Sequence, residues 1–149
     1  MERPGLTSKL WYWSTILHRR GLTPLARVLK TFTFVTCGAA LPYECEIADD
    51  VRLWHRGLGV VVAPSTRVGR DVRFAHGVTI GAAAGTDDQP PGRVVIEDGV
   101  RLGSGCIVLA GAGRVLTVGA NSHIGAGAIV TKDVAPGAVM VGPAAHALS

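Results

Sequence analysis

The sequence has few large side chains and little charge. Aromatic residues make up 5% of the 149 residues and charged residues 17%, whereas hydrophobic residues reach 48% and glycine occurs 20 times. This apolar composition excludes an intrinsically disordered chain. The scarcity of aromatics argues against an ordinary globular core and favours a repetitive fold with a narrow interior.

Cysteine is also scarce. Cys37, Cys45 and Cys106 form an odd set without a CxxC spacing. This pattern predicts reduced thiols in a cytoplasmic protein rather than a disulfide framework. No secretory signal is evident, and no apolar run reaches the length of about 18 residues that a spanning helix needs.

The formal net charge is +4 and the pI is near 9.3. The basic residues are dispersed, apart from His18-Arg19-Arg20, and no basic run is interleaved with aromatics. Nucleic-acid binding is therefore not expected. A basic face suits an anionic ligand, and a phosphorylated cofactor would qualify.

Large apolar residues recur every six positions from residue 47 onward. The series comprises Ile47, Leu53, Val62, Val68, Phe74, Ile80, Ile96, Leu102, Val108, Val118, Ile124 and Val130. Neither a helix nor an amphipathic strand has this period, but the tandem hexapeptides of a β-helix do. Each hexad is expected to form one short strand and one corner, and three hexads one triangular coil. A small residue follows most members of the series and is expected to let the corner turn tightly.

Three insertions interrupt the period. Three extra residues precede Val62, ten precede Ile96 and four precede Val118. Extra residues in a solenoid must loop out from a corner. The ten-residue insertion lies within AAAGTDDQPPGRVV, whose Gly, Asp and Pro content predicts an exposed loop.

The register of the coils brings two histidines together. His55 and His76 each lie two residues after the inward residue of one wall, and Ser104 holds the same place in the next coil. The three side chains should form a column with rungs about 4.8 Å apart. A neutral imidazole near pH 7 is a suitable general base for a hydroxyl group. The alternatives are a solvent-exposed corner histidine for His55, and acceptor binding or simple stacking for His76.

Residues 8 to 36 do not follow the hexad and predict two helices. The first ends at Gly21, and the second begins with Thr23 as N-cap and Pro24 at the first helical position. We expect them to pack on the open end of the solenoid. Attachment to a membrane surface is a possible but less favoured role, for which suitable residue types are Trp11, Trp13, Leu17, Arg19, Arg20 and Lys30. The predicted parts are a helical segment over 1–40 and a β-helix domain over 41–149.

Residues 41 to about 145 resemble the left-handed β-helix, hexapeptide-repeat acyltransferases, and among them the serine acetyltransferases and the sugar O-acetyltransferases of polysaccharide clusters. The stretches that resemble them are HRGLGVVVAPSTRVGRDV, FAHGVTIGA, VGANSHIGAGAIVTKDVAPGAV and VGPAA. The predicted fold is therefore all-β, a left-handed parallel β-helix with a short N-terminal α-helical segment. The resemblance implies a homotrimeric O-acyltransferase that moves an acetyl group from acetyl-CoA to a hydroxyl of a small acceptor. That acceptor would be a serine-like amino acid, a sugar or a biosynthetic intermediate.

The resemblance also implies roles for single residues. His55 matches the histidine base of serine acetyltransferases, and His76 matches a position that often holds a polar amide or a histidine. The positions that match the acyl-CoA groove are Gly81, Ala82, Ser104, Cys106, Ala126 and Lys132. Small residues there would let the pantetheine arm approach the backbone, and Lys132 could meet a phosphate.

Two positions depart from the serine acetyltransferases. Ala40 stands where they have an Asp fifteen residues before the base, with Glu44 and Asp49 as possible substitutes. The long loop also lacks their second histidine. These departures weaken L-serine as the acceptor and leave open a catalytically silent trimeric β-helix that binds a ligand or a protein partner. γ-type carbonic anhydrases share this architecture, but the histidine pair that they use for zinc is missing, so no metal site is expected.

Overall fold

The computed structural model describes residues 4–143. Within these residues, two helices precede thirteen short strands. Helix α1 spans Leu6–Arg19 and helix α2 spans Thr23–Cys37. Gly21, with a φ of 79°, reverses the chain between them.

The strands form three parallel sheets, which are the three walls of a triangular prism. Wall one contains β1 (Glu46–Ile47), β4 (Thr66–Val68), β7 (Arg93–Ile96) and β10 (Val115–Val118). Wall two contains β2 (Arg52–Leu53), β5 (Arg73–Phe74), β8 (Arg101–Leu102), β11 (His123–Ile124) and β13 (Val139–Met140). Wall three contains β3 (Val61–Val62), β6 (Thr79–Ala82), β9 (Ile107–Ala110) and β12 (Ile129–Val130).

The prism is filled by two residues from each wall of each coil. All twelve members of the predicted six-residue series are at most 6% exposed, which confirms their inward orientation. The residue two positions before a member also points inward, because alternate residues of a strand share a face. This second buried set comprises Cys45, Val51, Val60, Thr66, Val72, Val78, Val94, Val100, Cys106, Leu116, Ser122 and Ala128. The six-residue series did not include this set, because its side chains vary more in size and polarity.

The structure corrects the reason given for the small residue after each inward residue. The tight corner lies two residues later, where the backbone is left-handed at Gly77, Gly105 and Gly127, with φ from 64° to 70°. Gly103, which directly follows an inward residue, has no positive φ. It is small because a Cβ there would lie 2.6 Å from the backbone nitrogen of Ala126 in the next coil.

The predicted insertion before Ile96 forms an exposed loop. Residues 83–92 leave wall three and return to wall one, and the N–H of Gly92 donates to the carbonyl of Ala83 at 2.9 Å. The four-residue insertion contacts this loop, because the N–H of Gly113 donates to the carbonyl of Pro90 at 2.7 Å. The two insertions therefore support each other.

Helix α1 packs on the first coil, as predicted for the N-terminal segment. Trp11 is 1% exposed, and its ring lies edge-to-face with Phe74 at a centroid distance of 6.2 Å. Its indole Nε1 donates to the carbonyl of Pro42 at 2.9 Å. Ser8 Oγ accepts from the N–H of Leu53 at 3.1 Å, so α1 also satisfies a backbone donor at the open end of the solenoid.

The predicted N-cap of α2 is wrong. Leu22, with a φ of −88°, holds the N-cap position without a side-chain bond, and the helix already includes Thr23. Thr23 Oγ1 instead lies 3.2 Å from His18 Nδ1 in α1, so its hydroxyl joins the two helices rather than capping one. Across residues 4–143, no helix is both long enough and apolar enough to cross a bilayer.

Candidate active site

The predicted side-chain column is present at the corner after wall two. The rings of His55 and His76 lie edge-to-face with centroids 5.1 Å apart. Ser104 Oγ lies 3.4 Å from His76 Nδ1. Ala126 occupies the next rung, because the N–H of Gly127 donates to the carbonyl of Ser104 at 3.0 Å. The structure thus brings together both predicted catalytic residues and two of the predicted cofactor-binding residues.

A strained turn holds His55 in this column. Trp54–Gly57 forms a 3-10 turn in which His55 and Arg56 have φ values of 51° and 60°. Left-handed backbone costs a non-glycine residue roughly 1–2 kcal/mol, and such strain is concentrated at functional sites. Among residues 4–143, the other non-glycine residues with positive φ are Asp71 and Asn121. Histidine, aspartate and asparagine are enriched in this region, so Arg56 has the least favourable residue type of the four. The sequence showed an insertion here but not its strain.

A groove of about 280 Å³ opens beside His55. The residues that line it come from the end of α2 and from the strained turn: Thr36, Cys37, Gly38, His55, Arg56 and Leu58. Arg56 gives the groove a positive charge, and no carboxylate is among the described residues that line it. The groove therefore suits a neutral or anionic molecule better than an ammonium compound.

Cys37 is a residue of this groove that sequence reasoning missed. Burial acts to raise the pKa of its thiol, but hydrogen bonds from Thr36 and Thr7 and the charge of Arg56 together bring the pKa below its ordinary value. The hydroxyls of Thr36 and Thr7 lie 3.5 and 3.4 Å from the sulfur. The environment of the Cys37 thiol could not be predicted from the sequence, because its contacts come from both helices and from the turn.

The possible substitutes for the missing Asp do not contact His55. Glu44 lines a different pocket, with Ser65 and Arg93, and Asp49 is exposed. From residue 4 to residue 143, His55 has neither a hydrogen bond nor an ion pair with a carboxylate, and its ring partner is His76. The same part of the chain holds no cluster of three or more His, Cys, Asp or Glu residues that could bind a metal ion.

Three of the predicted cofactor-binding residues lie outside the column. Gly81 and Ala82 end β6 on wall three, where they pair with β9. Lys132 is exposed just beyond β12. Their contact with a cofactor stays a prediction.

The side chain of Cys106 lies inside the prism, and the predicted contact of this position with a cofactor stays a prediction. Its side chain is 0% exposed and belongs to the second inward set, and burial raises the pKa of its thiol to about 11. The thiol cannot contact a ligand on the outer surface of the prism. At this position, the backbone alone remains available for such a contact.

The three-walled parallel coil, built from six-residue repeats, defines a left-handed β-helix of the hexapeptide-repeat class. No protein-family model matches the sequence. The chain is 35% identical to a serine acetyltransferase of Mycobacterium tuberculosis over 134 residues, which are 89% of this chain and 52% of that protein. It is 32% identical to a serine acetyltransferase of Helicobacter pylori over 150 residues, with 98% of this chain and 82% of the relative covered. The chain therefore belongs to the serine acetyltransferase family.

Solved structures agree with this assignment. The serine acetyltransferase of Neisseria gonorrhoeae in complex with serine superposes with a TM-score of 0.79 and 27% identity, over 92% of this chain and 53% of that one. The Brucella abortus enzyme in complex with coenzyme A gives a TM-score of 0.77 and 25% identity, over 92% and 52%. The chain thus spans about half the length of the M. tuberculosis relative and of these two structures.

Proposed function

We propose that the protein is an acetyl-CoA-dependent O-acetyltransferase in which His55 is the general base. The observation that supports this most strongly is the edge-to-face pair of His55 and His76 at 5.1 Å, beside an open groove. Family membership supports the same chemistry, and a structural relative is solved in complex with coenzyme A. His55 would take the proton of an acceptor hydroxyl while the oxygen attacks the thioester carbonyl. The C–S bond would then break, and the protonated His55 would return the proton to the sulfur of the departing coenzyme A.

The side-chain column would hold the base and the thioester in the arrangement that acetyl transfer needs. His76 contacts the ring of His55 and lies 3.4 Å from Ser104. Ser104 and Ala126 would border the thioester arm on one side, with Gly81, Ala82 and Lys132 further along the cofactor. A base and a thioester held in reacting geometry account for much of the rate of such a transfer.

The charge of the groove favours an acceptor without an ammonium group. Free serine carries both an ammonium and a carboxylate, and a buried or half-buried ammonium needs an acidic partner. The groove beside His55 offers Arg56 instead. Among the acceptors that the sequence left open, a sugar or an acidic biosynthetic intermediate therefore fits the described residues better than serine does.

A homotrimer is part of this proposal. The outer surface of wall three exposes three large apolar side chains, with Val61 45%, Leu109 41% and Ile129 64% exposed. Exposed apolar patches of this kind are typical of faces that pack against another chain. Packing of wall three would place a second subunit near the corner that holds His55.

Two measurements on matched variants test the proposal. We expect calorimetry to give about one acetyl-CoA bound per subunit in the wild type and in His55→Ala. Release of CoA with a panel of L-serine, neutral hexoses and hexuronates should then fall at least about 100-fold in His55→Ala, because general-base catalysis contributes at least that factor. His123→Ala, which removes an exposed histidine outside the pair, is the control and should retain the rate.

The outcomes separate the alternatives. If the wild type binds neither acetyl-CoA nor longer acyl-CoAs, the proposed acetyltransferase activity is refuted and the catalytically silent trimer is favoured. Equal losses in His55→Ala and His123→Ala would remove His55 from the role of base. A preference for serine over the sugars would contradict the electrostatic argument about the acceptor while leaving acetyl transfer intact.

A further inference from the structure

The side of α2 that faces away from the solenoid is apolar and bare. Helix α1 contacts both α2 and the first coil, whereas α2 packs chiefly on α1. The buried residues of α2 are Ala26, Thr33 and Cys37. On the opposite side lie four exposed residues, which we name the outer α2 face: Leu25 (53% exposed), Val28 (64%), Phe32 (52%) and Val35 (75%).

This face is a continuous stripe. With 3.6 residues per turn, its four residues fall within about 80° around the helix axis and about 15 Å along it. Leu22 (46% exposed) extends the stripe at the turn before the helix. A soluble helix normally turns such a stripe toward a core, so this one requires a partner.

The surroundings of the outer α2 face are basic. Residues 6 to 37 contain five Lys or Arg residues and no Asp or Glu. Arg19, Arg20 and Arg27 are exposed. Over the first 43 residues, six basic residues stand against one acidic residue, and over the remaining 106 nine stand against ten. The net charge of +4 therefore arises in the helical segment.

Charge decides among the partners that an apolar stripe could take. A second copy of α2 would bring a second set of these arginines to the contact, with no carboxylate on either helix to offset them. An anionic bilayer offers acyl chains to the stripe and phosphate groups to its basic margin. Long arginine side chains can extend from a helix at the interface to the headgroups.

We propose that the outer α2 face binds the surface of an anionic lipid bilayer, with α2 lying in the plane of the interface. Leu25, Val28, Phe32 and Val35 insert below the headgroups, and Arg20 and Arg27 contact lipid phosphates. This changes the residues suggested by the sequence, because Trp11 is buried against Phe74 and cannot reach a membrane. The binding is independent of acetyl transfer.

Flotation of the full chain with vesicles tests the proposal. We expect co-flotation with equimolar phosphatidylcholine and phosphatidylglycerol, much weaker binding to phosphatidylcholine alone, and loss as salt is raised. The variant Val28→Gln with Val35→Gln should bind the anionic vesicles at least about tenfold more weakly. Arg20→Gln with Arg27→Gln should weaken binding by about fivefold per cation on anionic vesicles only.

A matched pair of valines elsewhere is the control. Val115 (57% exposed) on wall one and Val139 (68%) on wall two are about as exposed as Val28 and Val35. Val115→Gln with Val139→Gln should bind vesicles like the wild type. Absence of co-flotation, or equal binding by the two double-valine variants, would overturn the proposal. The proposal would also be overturned if light scattering gave the Val28→Gln with Val35→Gln variant half the mass of the wild-type assembly. In that case a second copy of the chain would occupy the outer α2 face.

Discussion

Replacing Gly103 with alanine tests how the coils are stacked. Gly103 directly follows an inward residue, and a Cβ there would lie 2.6 Å from the nitrogen of Ala126, 2.8 Å from the carbonyl carbon of Gly125 and 2.8 Å from the oxygen of Ile124. All three atoms belong to the backbone of the next coil. No rotamer change can relieve such contacts, so the two coils must separate locally.

The expected cost follows from what has to move. Adding a methyl group to a well-packed site lowers the free energy of unfolding by about 1–3 kcal/mol. Because Gly103→Ala must displace hydrogen-bonded backbone, we expect a loss at the upper end of this range, about 3 kcal/mol. Gly81→Ala is the matched control, because its Cβ would meet Leu109 Cδ2 at 2.6 Å. Leu109 is 41% exposed and can rotate away, so we expect a cost below about 1 kcal/mol.

Thermal unfolding followed by circular dichroism, at one fixed protein concentration, separates the two variants. At about 2–4 °C per kcal/mol for a chain of this size, Gly103→Ala should melt about 6–12 °C below the wild type. Gly81→Ala should stay within about 4 °C of it. Equal melting temperatures for the two variants would refute the claim that backbone contact between coils, rather than corner flexibility, demands the small residue.

Two further predictions concern thiols and the helix contact. Iodoacetamide should modify Cys37 before Cys45 or Cys106, because the pKa of the Cys37 thiol is lowered while burial raises those of Cys45 and Cys106 to about 12 and about 11. The rate at Cys37 should rise with pH, with a midpoint below 9.0. Mass spectrometry of the modified peptides checks the order, and modification of Cys106 first would contradict it. Trp11→Phe keeps a ring but removes the indole donor to Pro42, so chemical denaturation should show a loss of about 1–3 kcal/mol. The same substitution at the exposed Trp13 should cost little.

The hexad was sufficient to predict the walls of the fold. A six-residue period has few physical realisations, so the inward orientation of residues such as Phe74 and Ile124 could be predicted from spacing alone. The second inward set was missed because Thr66, Cys106 and Ser122 do not look like core residues. The start of α2 was wrong by one residue, because Thr23 bonds to His18 across the turn instead of capping its own helix. The boundary between 1–40 and 41–149 stays a prediction.

The histidine column was predictable for the same reason, since register between parallel coils fixes which side chains are neighbours. The approach of Cys37 to His55 was not, because it depends on how α2 ends against the turn, and no repeat governs that contact. The left-handed backbone of Arg56 could not be predicted from residue type either, because arginine is not among the types enriched in that conformation.

The strained turn also bears on the missing Asp. An imidazole that acts as a base must be held in one orientation, and an acidic partner is one way to hold it. Here the carbonyl of His55 accepts a hydrogen bond from the N–H of Leu58 at 3.2 Å, and this bond closes the turn that begins at His55. The ring then meets His76, which is itself within 3.4 Å of Ser104. The closed turn restricts the backbone of His55, and the ring of His76 occupies one side of its imidazole. These contacts are the restraints that the structure offers where Ala40 replaces the Asp of the family.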